Sequence, residues 1–415
     1  MLYPIVRPVA RYVLSYYYRH IDLTGLEHIP PDGAVILAAN HPTAFIEPCL
    51  LACFQDRSLH FLARGNLFKN TFYNTLLAAV NILPVFRIED GGYGRLKDNY
   101  DTFASCHKVL SRGKAIMIMA EGRCIHEKAL RPLRKGTARI ALGALDADPT
   151  LREVYVVPVG ANFTHADRVR STVMIRCGEP IRASEFLDEY RAGEATAIKN
   201  FTRHLRQRLS PLIVQFPHQD VAGIGEARLA IERAKLPLQE GVTNDGRQLE
   251  KELLTAADTT PEATRTTRLL NRLDRQGVPL AALAGQYDGY ANRTVADWLK
   301  CLIAGGLLLP QLPLWLLAEF LGASLPKHVE FYSPVRFAVV ASGTFLLYPL
   351  ALLLLWWPLK IWLLLALLSV NWSLRQLEAA GRWYQHRKVA RMVPRERQYL
   401  RSLLKDSSVC FPSSI

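Results

Sequence analysis

The segment AANHPTAFIEP, residues 38–48, holds the two side chains best suited to acid–base chemistry, His41 and Glu47. Each is followed by a proline, which disfavours the helical conformation in the residue before it, so both ends of the segment are predicted to be extended. On a regular helix the two side chains would point about 240° apart. In a loop they can meet. The carboxylate would then orient the imidazole through one ring nitrogen, while the other ring nitrogen takes a proton from an alcohol. The alternative is a structural histidine that makes hydrogen bonds at the end of a strand.

Further charged residues follow two other predicted strands. The strand AIMIMA (115–120) runs into Glu121, Gly122 and Arg123, and the strand ILPVF ends next to Arg87. The carboxyl ends of parallel strands share an edge, where open α/β sheets collect ligands. At that edge Arg87 and Arg123 could bind a phosphate through paired hydrogen bonds. The alternatives are a solvated Arg87 and a Glu121 that pairs with a nearby arginine.

Short apolar runs alternate with amphipathic stretches over residues 25–215, which predicts an α/β domain with a layered, mostly parallel sheet. The predicted strands cover residues 33–39, 58–64, 82–88, 115–120, 154–160 and 172–178. Helical spacing predicts helices over residues 96–110, 135–145 and 196–213. Residues 216–296 are polar and lack strand patterns, so they are predicted to form an α-helical connector.

The most apolar runs lie in the last third of the chain. Residues 301–318 and 337–359 contain no charged side chain, and about 20 apolar residues suffice to span a bilayer. We therefore predict transmembrane helices, arranged as a hairpin, within residues 297–374. The run 361–370 is too short to cross alone and is predicted to prolong the second helix, with Lys360 reaching the headgroups. A buried helical hairpin in a soluble protein is the alternative.

Both ends of the chain have features of a membrane surface. Residues 375–405 hold nine Lys or Arg against two Glu, so the basic tail, residues 375–415, is predicted to be cytoplasmic. Residues 1–24 are amphipathic and aromatic, which predicts a helix on the membrane surface or a helix covering the sheet. The long N-terminal part is also basic, and two crossings would return the chain to the side that it left. We therefore expect the α/β domain on the cytoplasmic face.

The composition and the net charge exclude some classes of protein and favour others. The 415 residues carry a net charge of +14 and are 50% hydrophobic, which excludes a disordered chain and favours an anionic partner. The positive charge of the tail lies beside the apolar runs, which favours a lipid bilayer over nucleic acid. The 7 cysteines form no CxxC pair and are predicted to be reduced thiols, mostly in the core. We expect no metal site, and the absence of a Gly-x-Ser-x-Gly motif argues against a serine hydrolase.

Four blocks, in order, resemble the motifs of the PlsC-type glycerolipid acyltransferases, the family of the glycerol-3-phosphate and 1-acylglycerol-3-phosphate acyltransferases. The blocks are NHPTAFIEP with His41 and Glu47, FLARGNLFKN and ILPVFR with Arg64 and Arg87, MAEGRCIHEKALRPLRKG with Glu121, Gly122, Arg123 and Lys135, and VVPVG with Pro158. The resemblance covers about residues 25–190. The chain departs from the family pattern in two places: the carboxylate is Glu and lies six residues from the histidine, and Arg123 directly follows Gly122 without the Thr of EGTR.

The resemblance implies an O-acyltransferase of phospholipid biosynthesis with His41 as general base and Glu47 as its orienting carboxylate. It would transfer a fatty acyl group from acyl-CoA or acyl carrier protein to a hydroxyl of lysophosphatidic acid or glycerol 3-phosphate. The residues implied in substrate binding are Arg64, Arg87, Glu121, Gly122, Arg123 and Lys135. The acyl donor is a co-substrate, and no cofactor is implied. The alternative function is a membrane-anchored lipid-binding protein that has the acyltransferase fold but weak or lost activity.

Overall fold

The computed structural model describes residues 2–68, 70–85, 98–217, 222–257, 273 and 277–406. A nine-stranded sheet is the framework of these residues. In chain order the strands are β1 (His20–Thr24), β2 (Ala34–Ala39), β3 (Leu59–Arg64), β4 (Ile82–Val85), β5 (Ala115–Met119), β6 (Val154–Phe163), β7 (Thr172–Cys177), β8 (Ile181–Arg182) and β9 (Gly241–Thr243). Strands β2 to β7 confirm the six predicted strands. The remainder of the strand predicted over residues 82–88 lies outside the described residues.

The order of the strands brings several carboxyl ends to one edge of the sheet. The sheet runs β4–β3–β5–β2–β6–β7–β1–β9, and β8 pairs with β6. The first five strands in this order are parallel to one another, namely β4, β3, β5, β2 and β6. Strand β7 is antiparallel to β6. The predicted α/β class with a mostly parallel sheet is confirmed. Strands β2 and β5, which lead into His41 and Glu121, are direct neighbours.

Helices accompany the sheet in the alternation that the sequence predicts. They are α1 (Tyr3–Tyr17), α2 (Ile46–Phe54), α3 (Thr71–Ala79), α4 (Asp98–Ser111), α5 (Gly136–Ala147), α6 (Leu187–Ala192) and α7 (Glu194–Leu209). Helices α4, α5 and α7 confirm the three predicted helices, with ends that differ by a few residues.

Strand β2 is buried along its whole length, as expected for a central parallel strand that is covered on both faces. Its alternate residues Ala34, Ile36 and Ala38 belong to the main core cluster, together with Ile140 of α5 and Phe201 of α7. This packing makes β2 a rigid base for the loop that follows it.

The N-terminal segment differs from the predicted helix over residues 1–24. Helix α1 ends at Tyr17, and residues 20–24 form strand β1, which pairs with β7. The Tyr3 ring lies 6.5 Å from the ring of Phe61 in β3, and the carboxyl-terminal turns of α1 are buried. Helix α1 therefore packs on the sheet, and its location at a membrane surface stays a prediction.

The chain divides into two units. The first comprises Met1–Ile213, Val242–Asp245 and Leu321–Phe345, and the second comprises Val214–Gly241, Gly246–Phe320 and Leu346–Ile415. The later helices are α8 (Ala222–Lys235), α9 (Arg247–Ala257), α10 (Leu280–Leu283), α11 (Val295–Leu308), α12 (Leu312–Ser324), α13 (Tyr332–Leu354), α14 (Trp357–Ala390) and α15 (Pro394–Asp406). Within the second unit, α8, α10, α14 and α15 share a small apolar core.

The segment predicted as a helical connector, residues 216–296, is helical in α8, α9 and α10, but it also contains strand β9. This strand joins the sheet beside β1, which the prediction missed. Three residues are too few for the alternation that marks a strand in sequence. Arg233 of α8 donates to both carboxylate oxygens of Glu252 in α9, at 2.8 and 2.7 Å, which ties these two helices together.

Three helical stretches are long and apolar enough to cross a membrane: Val295–Ser324, Val329–Leu354 and Trp357–Ala390. The first contains the predicted run 301–318, and the second contains residues 337–354 of the predicted run 337–359. The third corrects the prediction that residues 361–370 prolong the second helix, because that helix ends at Leu354 and a new one begins at Trp357. Pro358 lies in the first turn of the new helix, where its missing N–H is tolerated.

Candidate active site

The loop that follows β2 begins with a side chain bonded to the neighbouring strand. The amide nitrogen of Asn40 donates to the carbonyl oxygen of Ala161 in β6 at 3.0 Å, and the amide oxygen of Asn40 accepts from the Ala161 N–H at 2.7 Å. Asn40 is buried, so these bonds replace water for both ends of the amide. They fix the start of the loop one residue before His41.

His41 is held through its backbone by residues that follow β5. Its N–H donates to Glu121 Oε2 at 2.9 Å, and its carbonyl oxygen accepts from the N–H of Ile125 at 3.2 Å. The residue is only 8% exposed. The main chain therefore sets where the imidazole lies.

The structure places the imidazole of His41 beside the carboxylate of Glu47, with 3.7 Å between Nδ1 and Oε1. This separation is too long for a hydrogen bond, and Nδ1 has no hydrogen-bond partner in the described part of the chain. Hydrogen bonds between catalytic groups are often long without substrate and shorten when it binds. With Nδ1 turned to Glu47, the other ring nitrogen, Nε2, is left to accept a proton.

Glu47 is fully buried and receives two hydrogen bonds from one residue, Thr43. Oε1 accepts from the Thr43 N–H at 2.6 Å, and Oε2 accepts from the Thr43 hydroxyl at 2.7 Å. The same hydroxyl oxygen accepts from the N–H of Ile46 at 3.2 Å, which satisfies a donor in the first turn of α2. Thr43 thus holds the carboxylate in place from within the loop.

The prediction that both ends of the segment are extended is wrong for Glu47, which lies in the first turn of α2. Pro48 is then the third residue of this helix. A proline is tolerated there because the first N–H groups of a helix have no partner within it. The helix also favours a carboxylate at this position, since its N-terminal end carries partial positive charge.

Glu121 is buried and connects two loops. Besides the His41 N–H, it accepts from the Arg131 N–H at 2.8 Å and from the Arg131 guanidinium at 3.3 Å. The structure therefore shows the alternative in which Glu121 pairs with a nearby arginine. Gly122 comes next with φ of 72°, and a Cβ there would lie 2.9 Å from Cγ of Arg134, so the turn after β5 requires glycine.

The described cations that were predicted to bind phosphate are exposed around this edge of the sheet. Arg64 is the last residue of β3, Arg123 follows Gly122, and Lys135 directly precedes α5. In the strand register, Arg64 is level with Asn40, the residue after β2. Strand β5 lies between the two, so they are about 10 Å apart. Arg87 lies outside the described residues.

Comparison with known proteins identifies the domain that carries this site. Residues 20–162 match the family model described as Acyltransferase. This chain carries an acyltransferase-family domain. The match includes the loop after β2 and the turn after β5, and it confirms the resemblance found in the sequence.

Two curated proteins of Saccharomyces cerevisiae (strain ATCC 204508 / S288c) are similar to the acyltransferase domain. Glycerol-3-phosphate O-acyltransferase 2 is 28% identical over 150 residues, which is 35% of this chain and 20% of the yeast protein. Glycerol-3-phosphate O-acyltransferase 1 is 36% identical over 78 residues, which is 18% of this chain and 10% of the yeast protein. The matches thus span a fifth or less of the curated relatives.

The solved structures that are similar in part include the 1-acyl-sn-glycerophosphate (LPA) acyltransferase PlsC from Thermotoga maritima. It is 18% identical, with a TM-score of 0.34, and the match covers 49% of this chain and 80% of that chain.

Two residues of the acyltransferase domain that the sequence analysis missed are Thr43 and Arg131. The role of Thr43 could have been inferred from the sequence, because threonine is a frequent capping residue at the start of helices and Thr43 stands three positions before α2. No sequence pattern identifies Arg131, since its pairing with Glu121 depends on the path of the loop after β5 and not on a spacing rule.

The described cysteines form no disulfide bond, and four of them, Cys53, Cys106, Cys177 and Cys301, are buried. Cys410 lies outside the described residues. Burial raises the pKa of the Cys53, Cys106 and Cys177 thiols to about 12, so these side chains are protonated at neutral pH. Over the described ranges, no group of three or more His, Cys, Asp or Glu side chains could hold a metal ion.

We predict that Thr43→Val destabilises the acyltransferase domain, because it removes the hydroxyl that donates to the buried Glu47 Oε2. An unsatisfied buried polar group costs about 1–3 kcal/mol. The thermal unfolding midpoint of the detergent-solubilised full chain should fall, whereas the control Thr43→Ser, which keeps the hydroxyl, should stay close to the unmodified protein. Equal midpoints for the valine and serine variants would contradict this role of Thr43.

Proposed function

We propose that this chain is a membrane O-acyltransferase of phospholipid biosynthesis. It transfers a fatty acyl group from acyl-CoA or acyl carrier protein to a hydroxyl of glycerol 3-phosphate or lysophosphatidic acid. The observation that carries the proposal is the 3.7 Å approach of His41 Nδ1 to the buried carboxylate of Glu47, in a domain of the acyltransferase family.

In the proposed reaction, His41 is the general base. Its Nε2 takes the proton of the acceptor hydroxyl as the hydroxyl oxygen attacks the carbonyl carbon of the thioester. The new C–O bond forms, the C–S bond breaks, and the proton passes from His41 to the departing thiolate. Glu47, on the Nδ1 side of the ring, orients the imidazole and stabilises the imidazolium that forms in between.

The acyl group passes directly from donor to acceptor in this scheme, and no side chain of the enzyme is acylated. The raised pKa values of the Cys53, Cys106 and Cys177 thiols argue against these three side chains as nucleophiles, because a thiolate and not a thiol is the nucleophile in covalent acyl transfer.

The phosphate of the acceptor is proposed to bind to Arg64, Arg87, Arg123 and Lys135. Guanidinium groups suit this role because they bind phosphate oxygens through two hydrogen bonds. Gly122 contributes the turn that leads to Arg123. Glu121 is proposed to act indirectly, because its oxygens already accept from the His41 N–H and from Arg131.

The two yeast relatives favour one of the two proposed acceptors. Both yeast relatives are named glycerol-3-phosphate O-acyltransferases, which favours glycerol 3-phosphate over lysophosphatidic acid. An assay that offers both acceptors in competition decides between them.

We predict that His41→Ala lowers kcat by about 10²–10⁴-fold, the usual contribution of a general base, while the protein still folds and inserts into membranes. Purified full-length protein is given an acyl-CoA with equal concentrations of glycerol 3-phosphate and lysophosphatidic acid, and the products are identified by mass spectrometry. His204→Ala, in α7, is the matched control and should keep normal turnover. Near-normal turnover by His41→Ala would refute the role of His41, and an unmodified protein that acylates neither acceptor would favour a lipid-binding protein.

The membrane is proposed to cover the three apolar helical stretches. Each exposes large apolar side chains, including Leu302 at 74%, Leu353 at 76% and Leu368 at 84%. Such extended apolar surface is costly in water and stable in hydrocarbon. Tryptophan is enriched at the membrane interface. Five tryptophans lie in or next to these stretches: Trp298, Trp356, Trp357, Trp362 and Trp372.

The acyltransferase domain and the basic tail are both proposed to lie on the cytoplasmic face. Both are rich in Lys and Arg, and positively charged flanks are retained on that side. Two parts on one side require an even number of crossings, so two of the three apolar stretches would cross the bilayer.

We predict that epitope tags placed before residue 1 and after residue 415 are digested by protease from the same side of sealed membrane vesicles. Inside-out vesicles should lose both tags, and right-side-out vesicles should keep both. Loss of one tag in each type of vesicle would show an odd number of crossings and would overturn the proposed topology.

A further inference from the structure

The segment that leads into helix α13, residues 329–331, contacts two loops of the acyltransferase domain. The carbonyl oxygen of Glu330 accepts from the N–H of Ala44 at 3.2 Å. The carboxylate of Glu330 accepts from the N–H of His126 at 3.3 Å. One residue at the start of an apolar helix therefore receives hydrogen bonds from both loops.

These two loops are the ones that hold His41. Ala44 lies between His41 and Glu47 in the loop after β2, next to Thr43, which binds the Glu47 carboxylate. His126 follows Ile125, whose N–H donates to the carbonyl oxygen of His41. Glu330 thus links the two loops that hold His41.

The first turns of α13 support this contact through buried groups. The Tyr17 hydroxyl donates to the carbonyl oxygen of Ser333 at 3.0 Å, and Ser333 is fully buried. The Phe337 ring lies 5.9 Å from the ring of Tyr17 and 6.4 Å from the ring of Phe45. Phe45 belongs to the loop after β2, so this loop contacts α13 through a side chain and the preceding residues 329–331 through its backbone.

We propose that Glu330 is a positioning residue, which holds the His41 loop and the loop after β5 in the geometry that acyl transfer requires. This inference rests on the proposed function of the site. Glu330 lies far outside residues 20–162, the part of the chain that matches the acyltransferase family. The apolar helix α13 would then complete the active site in addition to anchoring the protein.

The physical reason is that a general base works only when its nitrogen is held close to the reacting hydroxyl. Small displacements by residues that do not touch the substrate lower the rate by up to about 10²-fold. The loss of the Glu330 carboxylate leaves the His126 N–H without its acceptor and loosens the loop that binds the His41 backbone. The expected effect is on kcat more than on KM, because the chemical step depends on this geometry.

The test compares three variants of the purified full chain. Glu330→Ala removes the acceptor, Glu330→Gln keeps a carbonyl oxygen that can accept from His126, and Val329→Ala is the control for a change in the same segment at an exposed position. We expect kcat to fall about tenfold in Glu330→Ala with little change in KM, and to stay near normal in Glu330→Gln and Val329→Ala.

Amide hydrogen exchange gives a second readout that does not depend on activity. In Glu330→Ala, peptides that contain Ala44 and His126 should exchange faster than in the unmodified chain, whereas peptides from β6 should be unchanged. Unchanged exchange at both peptides, a normal kcat in Glu330→Ala, or an equal loss of kcat in Val329→Ala would overturn the proposal. If the unmodified chain transfers no acyl group, the proposed function fails, and the exchange data alone decide whether Glu330 holds the loops.

Discussion

The buried carboxylate of Glu47 is the constraint around which the loop after β2 is built. A carboxylate removed from water must be hydrogen-bonded, because its desolvation is otherwise too costly. Thr43 meets this need with its backbone N–H and its hydroxyl, at 2.6 and 2.7 Å. Because Thr43 lies between His41 and Glu47 in the chain, these bonds also curl the loop and bring the imidazole beside the carboxylate.

The sheet fixes the other end of this arrangement. Asn40 bonds to Ala161 in β6, and the His41 N–H bonds to Glu121 in the turn after β5. Strands β6 and β5 are the two neighbours of β2, so the start of the loop is tied down on both sides. In the proposed reaction, an imidazole held in this way would need little reorganisation to reach the acceptor hydroxyl, which is the advantage that a preorganised site has over a flexible one.

Much of the fold could be predicted from the sequence because the signals are local. Each apolar run that became β2 to β7 is a continuous segment, and the charged residues at the strand ends, such as His41 and Glu121, follow directly in the chain. The approach of His41 to Glu47 could be anticipated because a six-residue loop can close on itself. The three-residue strand β9 and the helical conformation of Glu47 could not, since the first is too short to show a pattern and the second overrides a local preference.

The remaining contacts of the site depend on tertiary structure. Glu121 pairs with Arg131 ten residues away, and the Glu330 carboxylate accepts from an N–H that is 204 residues away in sequence. No spacing rule predicts either contact, because the connecting chain leaves and returns through other elements. The sequence therefore indicates which residues could do chemistry, while the three-dimensional structure indicates which residues hold them in place.

The role of His41 as general base is best tested by the distance between His41 Nδ1 and Glu47 Oε1 in a crystal structure of the full chain with glycerol 3-phosphate bound. We expect this distance to shorten from 3.7 Å to about 2.6–3.2 Å, with Nε2 facing a hydroxyl of the acceptor. An imidazole turned away from Glu47, or an acceptor bound with its hydroxyls out of reach of Nε2, would overturn this role.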